Sequence, residues 1–179
     1  SQKVMKEVKS LKDVIEEYDD LKTNYEDIET LIDMAEEEDD EELAEEAQDM
    51  MKSFQGRYEE LRISTLLTGE YDKNDAILTL HAGAGGTESC DWVSMLYRMF
   101  TRWAGKKGYD TEVLDYLDGE EAGIKSVTVK IKGENAFGYL RSERGVHRLV
   151  RISPFNAAGK RQTSFASCDV MPEIEEDLE

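Results

Sequence analysis

Residues 76–108 read AILTLHAGAGGTESCDWVSMLYRMFTRWAGKKG, and their hydrophobic period changes part-way along. The first six residues, Ala76 to His81, predict a short and mostly apolar strand. After a glycine-rich turn, bulky side chains recur at helical spacing. They are Trp92, Met95, Leu96, Met99, Phe100 and Trp103. Gly105 and Gly108 then predict the end of this helix, so the stretch indicates a strand followed directly by an amphipathic helix.

Three further segments have the composition of strands. They are residues 111–117, 127–131 and 164–171, the first being the weakest. Val127, Val129 and Ile131 alternate with polar residues, as in a half-buried strand. Because a sheet buries one face against another layer, these elements predict an α+β fold, a small sheet with the bulky helix packed on it. We place this mixed α/β domain at residues 73–179. Residues 72–75, at the boundary, are interpreted as a short linker.

The first 65 residues predict two amphipathic helices, because apolar side chains recur at steps of three and four. The first series is Val4, Val8, Leu11, Ile15, Tyr18, Leu21, Tyr25, Ile28, Ile32 and Ala35, and the second is Leu43, Ala47, Met50, Phe54, Tyr58 and Leu61. Two such helices predict an antiparallel hairpin, with the tyrosines and methionines of both series in its core. We place this helical domain at residues 1–72.

Charge is unevenly distributed along the chain. The sequence has 41 acidic against 22 basic residues, a formal charge of -19. Residues 1–75 carry -16, residues 76–172 carry +2, and residues 173–179 carry -5. The acidic run at residues 36–42 is interpreted as a solvated turn that starts the second helix, although a binding site for a basic partner is an open alternative. Since salt screens charges beyond about 8 Å, the middle segment can still approach a polyanion.

Residues 144–165 form the most basic segment and contain no acidic residue. Five cations surround a Ser-Pro-Phe turn: Arg144, Arg148, Arg151, Lys160 and Arg161. The turn offers a hydroxyl that can donate and accept, a proline that restricts the backbone, and an aromatic ring that can stack on a base. Taken alone, the tripeptide is weak evidence and is more typical of an ordinary turn. We interpret the segment as a basic loop that docks on a polyanion.

Composition excludes several classes of protein. No run approaches the roughly 20 apolar residues that span a bilayer, and the N-terminus has no apolar signal segment, so we expect a soluble protein of the cytoplasm. Cys90 and Cys168 lack metal-ligand spacing and are interpreted as packing thiols, with no disulfide, metal or cofactor. His81 and His147 are far apart in sequence, and no nucleophile motif accompanies them, so we expect no independent catalysis.

The glycine-rich turn AGAGGTE at residues 82–88 leads from strand into helix, a place where backbone N–H groups favour anions. It lacks the Gly-Lys-Ser/Thr of a P-loop, and Glu88 stands where a dinucleotide site needs glycine. Two interpretations stay open. The glycines permit a tight turn only, or the backbone and Glu88 read a neutral edge such as a nucleobase.

Several blocks of the sequence, taken together, resemble the bacterial class I peptide chain release factors. The blocks are GAGGTE at residues 83–88, DW at 91–92, MLYRM at 95–99, AGIKSV at 122–127, GYLRSE at 138–143 and GVHRLVRISPF at 145–155. The similarity runs from about residue 76 to residue 173, and the helical domain is similar to that family's N-terminal domain. The resemblance implies a translation termination factor that enters the ribosomal A site and reads a stop codon.

The resemblance also implies roles for individual residues. Ser153-Pro154-Phe155 matches the tripeptide that distinguishes factors reading UGA and UAA from relatives reading UAG and UAA. Gly85 and Glu88 match positions that contact the first bases of the codon, and Thr163 matches a contact to the third. The family commonly has a histidine, stacked on a codon base, where this sequence has Gln162. Glutamine offers an amide plane instead of the imidazole ring.

Hydrolysis of peptidyl-tRNA in this family depends on a Gly-Gly-Gln motif in a domain beyond the region equivalent to residues 173–179. That motif does not occur in this sequence, and neither do the C-terminal strands that complete the family's codon-reading domain. We therefore expect a fragment of a full factor, rather than a natural truncated relative, that recognises a codon and is not itself an enzyme.

The resemblance implies as partners ribosomal RNA and proteins, an mRNA with UGA or UAA, and a class II release factor GTPase at the acidic helical domain. We expect a monomer that binds no membrane. Two other interpretations remain: a catalytically silent ribosome-associated or rescue-type relative that reads no codon, and a protein-binding helical hairpin with an incidental sheet.

Overall fold

The computed structural model describes residues 2–174, with side chains from Val4 onward. The chain divides into two compact units, a helical unit (Ser1–Leu66) and a sheet unit (Leu67–Glu179). In chain order the helices and strands are α1 (Gln2–Glu38), α2 (Glu41–Leu66), β1 (Ala76–Ala82), α3 (Thr87–Lys106), β2 (Asp110–Asp118), β3 (Ile124–Lys132), α4 (Ala136–Leu140), β4 (Gly145–Ile152) and β5 (Arg161–Pro172). No helix of the described range is long and apolar enough to cross a bilayer. The predicted acidic tail falls mainly on residues 175–179, which lie outside that range.

The helical unit is the predicted antiparallel hairpin. The rings of Tyr25 and Phe54 lie 5.9 Å apart, and Arg57 forms an ion pair with Glu17 at 3.0 Å. Of the acidic run at residues 36–42, only Asp39 and Asp40 lie between the helices, because α1 extends to Glu38 and α2 begins at Glu41. Asp40 Oδ1 accepts hydrogen bonds from the backbone N–H groups of Glu42 and Leu43. This contact caps α2, as a carboxylate at a helix start does in general.

The apolar stripe of α1 is only partly buried. Leu21, Ile28 and Ala35 are buried as predicted. The exposed members of the two stripes are Val4, Val8, Leu11, Ile15, Tyr18, Tyr25, Ile32 and Tyr58. The expectation that the tyrosines lie in the core was therefore wrong. The helix α1 has 37 residues and α2 has 26, so about 16 Å of α1 extends beyond its partner.

Five antiparallel strands form the sheet, in the order β2-β3-β1-β5-β4. The four strands predicted from the sequence correspond to β1, β2, β3 and β5 and are confirmed. The strand β4 lies in the segment that we expected to be a basic loop, and that expectation was wrong. Its half-buried positions hold His147, Leu149 and Arg151, and only one of these side chains is apolar. The regular alternation of apolar and polar residues that predicts a strand is therefore missing.

The core lies between α3 and one face of the sheet. Its large members are Leu78, Leu80, Val93, Leu96, Phe100, Ile124, Val127, Val129, Ile131, Leu140 and Val170. Leu96 and Phe100 were predicted on the buried face of α3, but Met99, predicted beside them, is 49% exposed. Because buried residues run along α3 from Ser89 to Ala104, the helix packs on the sheet over most of its length. The position of its first turn relative to the strands is therefore fixed.

The predicted linker at residues 72–75 is instead an integral part of the sheet unit. Asp72 is buried, accepts the Gly69 N–H at 2.8 Å and forms an ion pair with Arg141 at 3.3 Å. The Asn74 side chain donates to the carbonyl of Glu173 at 2.8 Å. These contacts tie the segment to the residues that directly follow α4 and β5, so its description as a linker was wrong. The domain boundary at residue 72 stays a prediction.

The two cysteines are free thiols inside the sheet unit, as predicted for packing residues. Cys90 lies on α3 and Cys168 on β5, and both are buried. Burial raises the pKa of Cys168 to about 12, because the low-dielectric core disfavours its thiolate. A thiol of this kind is a poor nucleophile at neutral pH.

Candidate nucleic-acid interface

The Ser-Pro-Phe turn is the start of the loop that joins β4 to β5. Ile152 and Arg161 are the last paired residues of the two strands, and the Ser153 N–H donates to the carbonyl of Lys160 at 3.1 Å. Ser153 is 5% exposed, whereas Phe155 is 47% exposed. The loop therefore buries the serine and presents the aromatic ring to solvent.

The glycine-rich turn is closed by contacts that a larger residue would block. Gly85 has φ of 137°, and a Cβ there would overlap Ser89 Oγ. That hydroxyl donates to the carbonyl of Ala84 at 2.9 Å. Gly83 N–H donates to the carbonyl of Phe165 at 2.9 Å, and a Cβ on Gly83 would lie only 2.7 Å from that oxygen. The glycines thus hold the tip of α3 against β5, as the tight-turn interpretation required.

The two predicted elements meet through a side-chain network. The Ser153 hydroxyl donates to Glu88 Oε1, although 65 residues separate them in sequence. It also accepts the N–H of Phe155 at 3.1 Å. The Arg151 guanidinium pairs with Asp91 and lies 3.6 Å from Glu88 Oε2. Arg151 thus clamps two carboxylates of the first turns of α3 against β4.

Two buried atoms of this network lack a hydrogen-bond partner. They are Glu88 Oε2 and Arg151 Nε. Buried polar atoms are nearly always satisfied by protein or ordered water, and both of these atoms belong to the ion pair between Arg151 and Glu88. Gln162 is paired with Arg151 in the sheet register and lies half-buried on the same face, while Thr163 is exposed on the opposite face.

The predicted basic residues do not form one surface. Arg148, Lys160 and Arg161 are exposed and have no ion pair within residues 2–174. Arg144 pairs with Asp169 at 3.3 Å and donates to the carbonyl of Val170. It lies at the far end of β4, about 30 Å from Ser153 along the strand. The guanidinium of Arg151 faces the carboxylates of α3, as described above.

The histidines have no catalytic arrangement. His147 Nε2 donates to the carbonyl of Glu143 at 2.8 Å, and the His147 ring lies edge-on to Phe100. Trp92 Nε1 donates to the carbonyl of His147 at 3.0 Å, which fastens β4 to α3. His81 lies exposed on β1. Within residues 2–174 no group of three or more His, Cys, Asp and Glu residues is arranged to hold a metal ion.

Sequence reasoning missed the role of Asp91. It assigned Arg151 to a phosphate and left the carboxylate of Asp91 without a function. Glu88 and Asp91 are three residues apart, and residues at this spacing lie on one helix face. That spacing was the available signal for a shared cation, although the sequence alone does not identify Arg151 as the partner.

A helical hairpin, a glycine-tipped helix and a Ser-Pro-Phe hairpin loop together define a protein of the PCRF-domain class. The PCRF domain model matches residues 1–168, so the chain belongs to this family. Its relatives include peptide chain release factor 2 of Clostridium perfringens (strain ATCC 13124), 55% identical over 177 residues, and of Exiguobacterium sp., 51% identical over 179 residues. These matches cover 99% and 100% of this chain.

The chain spans about half the length of the curated relatives it matches, 49% in both cases. Among solved structures, RF2 of Thermus thermophilus matches with a TM-score of 0.66 and 43% identity. That match covers 99% of this chain and 50% of the other. The fold predicted from the sequence, a helical hairpin followed by a small α+β domain, is therefore confirmed, and so is the resemblance to the release factors.

Proposed function

We propose that this chain is the codon-reading part of a translation termination factor that recognises UGA and UAA in the ribosomal A site. The hydrogen bond between Ser153 and Glu88 is the observation that carries the proposal. It joins the tip of α3 to the hairpin loop, so that two elements with nucleobase-reading side chains form one surface. The relatives named peptide chain release factor 2 support the same assignment.

The first base is assigned to Glu88. Its Oε2 atom is a buried acceptor without a hydrogen-bond partner. The positive charge of the Arg151 guanidinium lies close to it. The imide N–H of uracil is a donor, whereas the equivalent ring nitrogen of cytosine is an acceptor. Once binding of the codon uncovers this carboxylate oxygen, it favours uracil, because cytosine would leave two acceptors facing each other.

The second base is assigned to the Ser153 hydroxyl. The hydroxyl donates its proton to Glu88 and accepts the Phe155 N–H with one lone pair. Its second lone pair is therefore free. That lone pair can accept the amino group of adenine with the network intact. The O6 atom of guanine is an acceptor, so reading UGA requires the hydroxyl to release Glu88 and donate to the base. Arg151 remains beside Glu88 in that state and stabilises its charge.

The remaining contacts are assigned by position. Thr163 contacts the third base, and Gln162 lays its amide plane against a codon base. Phe155 is exposed and suited to stacking. Gly85 brings the backbone of the helix tip close to the first bases, because no side chain intervenes there.

RNA-backbone contacts are proposed chiefly for Arg148, Lys160 and Arg161, which are exposed and unpaired within the described range. Arg144 and Arg151 already have carboxylate partners, so a phosphate would have to compete with them. The partners proposed are the ribosome, an mRNA stop codon and a class II release factor GTPase, in the bacterial cytoplasm. Hydrolysis itself is assigned to a Gly-Gly-Gln motif, which these 179 residues do not contain.

A chimaera tests the proposal, with residues 1–179 replacing the matching half of the Clostridium perfringens relative. Peptide release from ribosomes should be fast at UGA and UAA and at background level at UAG. Replacing Ser153-Pro154-Phe155 should change this preference by about fivefold or more, since a base contact is worth about 1–3 kcal/mol. The control Arg148→Ala should slow release at every codon alike. Equal release at UGA and UAG would refute codon reading and favour the silent relative.

A further inference from the structure

We propose that the solvent face of α3 is a second RNA-binding surface, which takes a single-stranded RNA backbone independently of the codon-reading loop. Arg98, Arg102 and Lys106 follow one another at intervals of four residues. Side chains at this spacing project from one helix face, about 6 Å apart along the axis. All three are exposed, and together they are called the α3 ridge.

The charges of the α3 ridge have no partner within residues 2–174. None of the three cations forms an ion pair or a side-chain hydrogen bond there. The neighbouring cations differ, because Lys107 lies 4.7 Å above the ring of Tyr139 and Arg151 pairs with Asp91. The ridge is therefore available to an anion from outside the chain.

An open, shallow surface runs along the ridge on α3, and no acidic residue of the described range lines it. Its lining residues are Met95, Arg98, Met99, Arg102, Trp103, Gly105 and Lys106. Trp103 is held edge-on by Tyr109 and Tyr139, with ring centroids 5.7 and 6.0 Å away. Trp103 is half-buried and packs against the core, and only its remaining surface lies among the cations. Single-strand binders pair backbone charges with such aromatic surfaces.

The choice of RNA rather than an acidic protein rests partly on the proposed function. Arg98 and Lys106 lie 10 and 18 residues beyond Glu88 on the same helix, about 15 and 27 Å away. If Glu88 lies at a codon, the ridge lies within reach of RNA. The guanidinium groups of Arg98 and Arg102 can also hold phosphate oxygens in bidentate geometry.

The test measures binding of the chain to a fluorescent oligouridylate of about 12 nucleotides, which contains no stop codon. The triple variant Arg98→Gln, Arg102→Gln, Lys106→Gln should lower the salt slope of binding by about 2, since each phosphate contact contributes about 0.7. At about 50 mM salt its affinity should fall on the order of a hundredfold. The control variant Lys6→Gln, Lys9→Gln, Lys12→Gln removes equal charge from exposed positions of α1 and should bind like the wild type.

Any of three results would overturn the proposal. They are an equal loss of oligouridylate affinity in the two triple variants, unchanged binding by the ridge variant, and no binding by the wild type. Circular dichroism checks that both variants keep their helices. Displacement of the RNA by polyglutamate at equal charge would assign the ridge to an acidic polypeptide instead. In the chimaera, the ridge variant should bind UGA and UAA ribosomes more weakly but keep its preference over UAG. Loss of that preference in the wild-type chimaera would overturn the proposed function and leave the oligouridylate result standing.

Discussion

At the residue scale, the central feature is the charge balance around Glu88. Ser153 donates to one oxygen of this carboxylate, and Arg151 lies beside the other. The side chains of Glu88 and Arg151 are 15% and 24% exposed, so each charge depends on the other for stabilisation. The network thereby fixes the position of the hydroxyl that is proposed to read the second base.

Replacing Arg151 tests whether this residue positions the site or binds phosphate. Arg151→Met should leave Glu88 and Asp91 uncompensated, which costs about 1–3 kcal/mol of stability at a partly buried pair. In the chimaera it should reduce the preference for UGA over UAG by several-fold, and Arg151→Lys should restore part of it. The control Arg148→Met, on the opposite face of β4, should weaken binding at all codons equally. If Arg151→Met behaved like Arg148→Met, the positioning role would be wrong.

The contacts between the candidate site residues could not be predicted from the sequence. Glu88 and Ser153 were each singled out from the sequence, but the hydrogen bond between them was not. Chain folding brings them together across 65 residues, and no local pattern encodes that distance. The partnership of Arg151 with Asp91 was missed for the same reason.

At the scale of elements, the tip of α3 depends on backbone geometry that only glycine adopts easily. Gly85 has a positive φ of 137° and no room for a Cβ beside Ser89. A side chain there would displace the hydroxyl that closes the turn onto Ala84. Displacement of the Ser89 hydroxyl would also shift the first turn of α3, which carries Glu88.

Gly85→Ala should therefore destabilise the sheet unit by about 1–3 kcal/mol, since the substitution combines backbone strain with overlap. Gly105→Ala is the matched control on the same helix, because a Cβ there meets nothing within 4 Å. It should stabilise the chain by up to about 1 kcal/mol, the usual gain from alanine in a helix. Thermal and urea unfolding measure both. Equal effects of the two substitutions would contradict the proposed constraint at Gly85.

The elements with clear periodicity were predictable, and β4 was not. The strands β1 and β3 place apolar residues at every second position, facing α3. In β4 the outward positions include Val146, Val150 and Ile152, and all three are exposed. The half-buried positions hold His147, Leu149 and Arg151, so apolar residues fall on both faces and the period of two is broken. Its hairpin with β5 is what converts an apparent basic loop into a rigid support for Ser153.

At the scale of the whole molecule, most of the acidity and the residues proposed to read a codon belong to different units. Residues 1–75 carry a net charge of -16, and residues 76–172 carry +2. The helical unit was predictable as a hairpin, but the exposure of its tyrosines was not. Periodicity identifies which residues share a face and does not say how much of that face a second helix covers.

The measurement that tests the central claim most directly is photo-crosslinking from the second base of the codon. The chimaera is bound to ribosomes whose A-site UGA carries 6-thioguanosine at that position, and crosslinked peptides are mapped. The account predicts crosslinks to the loop at residues 153–160 and to the α3 tip around Glu88. Crosslinks confined to other parts of the protein, with efficient peptide release at UGA, would contradict it.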